Sequence, residues 1–390
     1  MFKKAGLNLG YYIGVSIPSN HNQSEANMQQ QVTKPDFSGQ DIFVAMDVGN
    51  KSWMVSIMVG QIEHRTFTQP PIVEKLVHYL RRNFPGGTYR CVYEAGYQGF
   101  WIHDELRDQG VDCIVVNPAD VPTKHKEQTH KTNGVDARKL ARSMRSGELD
   151  AIYVPSRSAL EDRSLVRARG RFVIKQTRCK NQIKALLSFY GIIAPEDVGR
   201  DHWSRRYVLW LEKQITFSRS SGDVVLRSLL EELVFLRQTI ARLTKEIRSL
   251  AEAEPYRLAV SHLRTIGGVG TVSAMIFLTE LIDIGRFHGL DHLANYCGLV
   301  PREHSTGEEQ TIAGITPRRN ASLRVLLVEC AWVAVRKDPA LMLAFTKLSA
   351  RMPKNKAIIR IARKLLNRIR FVLKNQQPYE TGIVSVAGTA

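Results

Sequence analysis

Three carboxylates stand at the ends of apolar runs. Asp47 closes Ile42-Phe43-Val44-Ala45-Met46, Glu94 closes Cys91-Val92-Tyr93, and Asp136 opens a helical pattern after the polar stretch Lys124 to Gly134. In a small α/β domain, strand ends and a helix start can converge. Convergent carboxylates repel one another unless a divalent cation neutralises them. An oxygen-only set of this kind suits Mg2+ or Mn2+, and such ions polarise a phosphodiester for attack. Strand-end acids also commonly just face water, and spacing alone leaves both readings open.

A second constellation is Gly298-Leu299-Val300-Pro301-Arg302-Glu303-His304-Ser305-Thr306-Gly307, followed by Gly314-Ile315-Thr316-Pro317-Arg318-Arg319-Asn320 and Leu323-Arg324. A hydroxyl on an exposed turn beside a glycine is a candidate nucleophile, here Ser305. The nearby Arg318, Arg319 and Arg324 would hold a phosphate and stabilise charge on a pentavalent transition state. A Ser-Thr-Gly sequence is equally an ordinary turn former. His304 fits either a base or a solvated imidazole. Upstream, Leu263-Arg264-Thr265-Ile266-Gly267-Gly268-Val269-Gly270 reads as glycines between two helices. The free N–H groups of the second helix would suit a phosphate, and a tight helix-helix turn explains the same glycines.

Two further stretches are strongly basic. Arg163 to Lys184 holds eight Arg/Lys (Arg163, Arg167, Arg169, Arg171, Lys175, Arg178, Lys180 and Lys184) and no acid. Arg351 to Lys374 holds nine, among them Arg360, Arg363 and Lys364, beside an apolar stripe of Ile358, Ile361, Leu365, Ile369 and Val372. The second describes a helix with one face in a core and the other toward a polyanion, with a membrane surface as the rival partner. With 55 Lys+Arg against 37 Asp+Glu, the chain's net charge of +18 suits neutralisation of a run of phosphates.

The elements that must position these groups follow from periodicity. Strands are expected at Ile42–Met46, Trp53–Val59, Tyr89–Tyr93 and Cys113–Val116, the first two forming a hairpin. Helices are expected at Ile72–Leu80, Trp101–Gln109 and Val135–Met144. That order predicts an α/β domain with a mixed sheet over 39–155. Beyond it, Leu226, Leu229, Leu233, Leu236, Ile240, Leu243, Ile247 and Leu250 form an a/d seam with Asp223 placed to cap it. The seam predicts a helical, coiled-coil region over 156–255, packed either on a second copy or within its own chain. A mainly helical C-terminal domain is expected over 256–380, with a tail at 381–390. Residues 1–38, rich in Asn, Gln and Ser, read as a disordered leader.

Five cysteines without a Cys-x-x-Cys pair indicate neither a disulfide framework nor a zinc site. No membrane-length apolar run and no secretory signal pattern is present, so the expected location is the bacterial cytoplasm, with the nucleoid.

Taken together, these residues resemble the bacterial insertion-sequence transposases that carry a DEDD acidic motif in a RuvC-like (ribonuclease-H-like) domain and a C-terminal transposase domain with a serine nucleophile, the bridge-RNA-guided recombinases. The resemblance covers about Ile42 to Tyr379. It rests on Met46-Asp47-Val48-Gly49, Tyr93-Glu94-Ala95-Gly96, Lys131 to Ala141, the glycine turn from Thr265 to Gly270, and Gly298 to Gly307 with Gly314 to Arg324. It implies that the family's first, second and fourth acids are Asp47, Glu94 and Asp136, and that its third falls on Asn133, whose amide offers an oxygen but no charge to Mg2+.

The resemblance further implies that Ser305, rather than Thr306, attacks the scissile phosphate to form a phosphoserine link that a DNA hydroxyl then reseals. It implies DNA and a non-coding guide RNA as partners, a homo-oligomer (dimer or tetramer), and one subunit's acidic domain working with another's serine domain. Two other functions remain open to the residues: a metal-dependent junction-resolving nuclease, and a nucleic-acid-binding protein with a weakened acidic site.

Overall fold

The computed structural model describes residues 35–122, 133–198, 203–306, 309–315 and 319–381. They fall into two compact units, dividing between Ile152 and Tyr153.

The first unit is a five-stranded mixed sheet. Strands β1 (Asp41–Val48), β2 (Trp53–Val59) and β3 (Ile62–Gln69) form an antiparallel meander, while β4 (Thr88–Glu94) and β5 (Asp112–Val116) extend the sheet in parallel on the other side of β1. The order is β3-β2-β1-β4-β5. The parallel pairs need crossovers, supplied by α1 (Val73–Asn83) between β3 and β4 and α2 (Trp101–Asp108) between β4 and β5. α1 buries Val73, Leu76, Val77 and Leu80, the i, i+3, i+4, i+7 set of an amphipathic helix. A third helix, α3 (Asn133–Arg145), packs Leu140 and Ala141 over Ala45, Val92 and Val116.

Strand β3 is absent from the sequence-based expectation. Its residues IEHRTFTQ are mostly exposed, as suits an edge strand with too few apolar positions to show alternation. The mixed α/β character is otherwise as expected.

The second unit is mostly helical. Two 33-residue helices, α4 (Arg157–Phe189) and α6 (Ser220–Glu252), run antiparallel, with the short α5 (Arg205–Lys213) beside them. Ser156 caps α4 by accepting from the Ala159 N–H. Cys179, Ile183 and Leu187 of α4 share one core with Leu226, Leu230, Leu233 and Leu236 of α6 and with Tyr207 and Leu211 of α5. The leucine seam of α6 is therefore buried on α4 of its own chain. Its buried positions drift from the a/d set to include Leu230, Thr239 and Ala251, as an uncoiled 3.6-residue helix requires. Asp223 also differs from its expected role: α6 begins three residues earlier, and the Asp223 carboxylate reaches back to accept the Phe217 N–H at 2.9 Å.

The rest of the unit is built from α7 (Arg257–Leu263), α8 (Thr271–Leu281), α9 (Leu290–Cys297), α10 (Ala321–Lys337), α11 (Pro339–Ser349) and α12 (Lys354–Asn375). Phe277, Leu327, Ile361 and Leu365 lie in their common core. Between α9 and α10 the chain makes an antiparallel hairpin, β6 (Pro301–Thr306) with β7 (Glu309–Ile315). Ser305 thus sits on a strand opposite Gln310 rather than within a turn.

Candidate acidic cleft and serine hairpin

Strand parity brings the first two acids together. Ala45 of β1 and Val92 of β4 pair in register and both pack beneath α3. Two residues further along parallel strands, Asp47 and Glu94 emerge on that same face at the strands' C-terminal ends. α3 starts over this end of the sheet with Asp136 in its first turn, where the helix dipole favours a negative charge. Asp47, Glu94 and Asp136 accordingly line one cleft of about 200 Å3, together with Gly96, Tyr97, Gln98 and Leu140.

Burial, and then the charge of Asp136, push the Asp47 carboxyl above its usual range. Carboxylates gathered in an oxygen-only cleft have the donor chemistry of a hard-cation site. Among the described residues, however, no group of three or more His, Cys, Asp or Glu side chains is close enough to hold one ion. The side chain of Asn133 lies outside the described residues; its backbone begins α3, one turn before Asp136. Sequence reading missed Tyr97 and Gln98, which line the cleft. Tyr97 is 76% exposed, and the signal available was its place three residues after Glu94.

On the hairpin, the side chains of Ser305 and His304, and all of Arg318, lie outside the described residues. Arg319 is exposed and Arg324 half-buried in the first turn of α10. The glycine turn has a packing explanation. Gly268 has φ +95°, and a Cβ there would meet the Cys330 carbonyl oxygen at 2.5 Å, so the turn is pressed against α10.

The basic helices divide by exposure. On α4, Arg171, Lys175, Arg178 and Lys184 are exposed and Arg163 and Lys180 half-buried. Arg169 donates to Thr244 Oγ1 at 2.8 Å, and Arg167 grips Glu280 with two bonds of 2.6 and 2.7 Å. Lys180 lies over the Trp203 ring. On α12, Ile358, Ile361, Leu365, Ile369 and Val372 are buried, Arg360 and Lys364 are exposed, and Arg363 pairs with Asp291. All five cysteines are free and buried. Burial pushes the Cys113 and Cys297 thiols up to about 12, so neither is a ready nucleophile.

Residues 260–347 match the family described as Transposase IS116/IS110/IS902 family, and residues 24–192 match a DEDD-type transposase domain of the IS110 kind. A Sinorhizobium fredii protein named as a transposase, y4qE, is 37% identical over 247 residues, 63% of this chain and 58% of that protein. The chain thus spans little more than half the length of that relative. The transposase for insertion sequence element IS1111A of Coxiella burnetii is 26% identical over 277 residues, 70% of this chain and 74% of its own length. The pilin gene-inverting protein of Moraxella lacunata is 30% identical over 156 residues, covering 37% and 46%.

Transposase models thus match both the mixed α/β acidic domain and the helical unit that follows it. Both matches are to transposase models of the IS110 kind, a DEDD-type domain at 24–192 and a second transposase domain at 260–347. The DEDD-type domain points to a divalent metal ion. Among the described residues, no helix is long and apolar enough to cross a membrane.

Proposed function

We propose that this chain is a transposase that cuts and rejoins the DNA of an insertion sequence by phosphoryl transfer at Ser305. The observation that supports the acidic half of this reading is the cleft lined by Asp47, Glu94 and Asp136. A divalent cation held there by those carboxylates and Asn133, Mg2+ or Mn2+, would supply charge neutralisation beside a phosphate. The Asp47 carboxyl, pushed up by burial and then by the charge of Asp136, would be relieved by such binding.

At Ser305 the Oγ–phosphorus bond forms as the bond from phosphorus to a deoxyribose oxygen breaks. The seryl proton leaves, and the released sugar oxygen takes one up. Attack by another strand's hydroxyl on the phosphoserine reverses these changes and restores the seryl hydroxyl, so no bond energy is lost. Arg319 and Arg324, with Arg318, would stabilise the developing charge. Exposed Arg171, Lys175, Arg178 and Lys184 of α4, and Arg360 and Lys364 of α12, would carry the nucleic-acid backbone. The protein acts as a homo-oligomer on element ends and target DNA, with sequence choice delegated to a non-coding guide RNA.

The test is recombination between two plasmids carrying the element junction and its target, followed on denaturing gels for protein attached to DNA. Wild-type protein gives a covalent adduct, and Ser305→Ala binds DNA but gives neither adduct nor recombinant. An active Ser305→Ala protein would leave the metal-dependent nuclease reading in its place. The neutral amide at Asn133 favours a second reading, a nucleic-acid-binding protein with a weakened acidic site; it expects no strand breakage with either metal.

A further inference from the structure

Between α9 and α10 the chain leaves the helical core for the β6–β7 hairpin and then returns. The two ends of that excursion meet. The Asn320 backbone N–H donates to the Tyr296 carbonyl at 2.9 Å. Gly298, in the left-handed region at φ +71°, lies so close that a Cβ there would stand 2.4 Å from Arg319 Cβ.

Both ends are also tied to one buried residue of α8. Asn320 Nδ2 donates to Glu280 Oε2 at 2.8 Å, and Tyr296 Oη donates to the Glu280 backbone carbonyl at 3.3 Å. Asn320 Oδ1 meanwhile accepts the Leu323 N–H, capping α10. From the opposite side Arg167 of α4 holds both carboxylate oxygens of Glu280, in the bidentate fork that fixes geometry as well as charge.

The Glu280 side chain is only 2% exposed. Burial opposes its charge, but the Arg167 hydrogen bonds and charge, the Asn320 bond and the charge of Arg163 outweigh it and hold the carboxyl below its usual range. Its buried neighbours along α8 include Ala274, Met275, Phe277 and Leu281. Apolar side chains in place of the whole Arg167–Glu280–Asn320 cluster would stabilise the core about as well, because desolvating an ion pair offsets most of its attraction. What the carboxylate adds is directional: three side-chain donor groups, two on α4 and one at the hairpin neck, converge on two oxygens.

We propose that Glu280 is a positioning residue that fixes the neck of the β6–β7 hairpin on the basic helix α4, acting through Asn320 and Arg167. The inference rests on the reading that the hairpin carries the nucleophile. Under it, DNA lying along the exposed basic side chains of α4 and the strand bearing Ser305 share one rigid reference point, and Arg167 serves that point.

The test begins with Glu280→Gln, which keeps the shape and an acceptor for Asn320 but removes the charge. DNA affinity should stay within about twofold, while Ser305-dependent adduct formation slows by on the order of tenfold to a hundredfold, as for a misplaced reacting group. Amide hydrogen exchange over 301–315 should accelerate while α12 is unchanged. Asn320→Asp retains the helix cap but sets a second carboxylate against Glu280, so one of the two must take up a proton. Its adduct rate relative to wild type should therefore recover as pH falls and decline as pH rises.

The double variant Glu280→Gln with Asn320→Asp exchanges the amide donor and the carboxylate acceptor, and should regain part of the rate lost by each single change. A role confined to folding would produce neither the pH dependence nor the reciprocal rescue. If Glu280→Gln does not fold, Asn320→Asp and the double variant decide. Wild-type adduct rates and hairpin exchange in Glu280→Gln, or a pH-independent Asn320→Asp, would overturn the proposal. An adduct formed by Ser305→Ala would remove the nucleophile reading alone, and the exchange measurement would still judge the clamp.

Discussion

Arg169 on α4 donates from Nε to Thr244 Oγ1 on α6 at 2.8 Å, and ten residues further along α4 the Cys179 thiol reaches the Leu229 carbonyl at 3.3 Å. The two contacts fix the antiparallel register of the long helices and account for the leucine seam: it faces α4. Leu233 is fully buried there. Leu233→Ala should lower unfolding stability by about 3 kcal/mol through lost transfer energy and a residual cavity. Thermal unfolding measures this. In the double change Leu233→Glu with Ile240→Glu, any smaller species in sedimentation should appear together with loss of helical signal. A well-folded smaller species would instead put a partner helix against the seam.

The glycine turn before α8 gives a second stability prediction. Gly268→Ala forces a side chain into φ +95° and against the Cys330 carbonyl. It should destabilise the protein by roughly 2 kcal/mol or more. Gly270, with nothing within 4 Å of its Cβ position and an ordinary φ of −100°, should accept alanine with little change. Equal effects at the two positions would argue against packing as the reason for Gly268.

How far the sequence reveals this molecule depends on which signal each element carries. β1, β2, β4 and β5 announce themselves because buried strands read as apolar runs, and Asp47 and Glu94 stand out as the first acids after those runs. β3 carries no such signal, since an edge strand facing water has no apolar period. The seam on α6 is legible as a seam but not as to its partner: a/d leucines look the same whether a second chain or α4 covers them. Glu280 is invisible in sequence, because an acid inside Thr-Glu-Leu on an apolar helix announces burial only once Arg167, 113 residues away, is seen to reach it. The same distance in sequence hides that Arg167 and Arg169 have partners within the chain.

That division among the basic residues of α4 is measurable. The exposed Arg178 and Lys184 are expected to contact phosphates, so Arg178→Ala with Lys184→Ala should flatten the slope of log affinity against log salt by about 2. Arg169→Ala should mainly lower the melting temperature, since its guanidinium is spent on Thr244. Binding isotherms on duplex DNA from low to physiological salt separate the two. An unchanged slope in the double variant would remove α4 from the nucleic-acid surface.

Asn133 supplies the sharpest test of the acidic cleft. Its backbone opens α3 one turn before Asp136, at the place where the family resemblance expects an acid. If residue 133 joins the acids as the resemblance implies, Asn133→Asp would set a carboxylate beside Asp47, which burial and Asp136 already push up. Without metal, the added repulsion should lower the thermal midpoint of the variant below that of wild type. With Mg2+ or Mn2+, the same added charge should tighten binding, so the metal-induced rise in midpoint becomes larger, because a ligand bound only by the folded state stabilises in proportion to the logarithm of its concentration over Kd. Recombination should rise in parallel if the cation neutralises charge near the scissile phosphate. The experiment is a thermal-shift titration of both proteins with each metal, paired with the plasmid assay. Should the variant melt lower without metal yet show an unaltered response to it, Asn133 would lie near the acids but outside the cation's coordination sphere, and the three carboxylates alone would have to hold the ion.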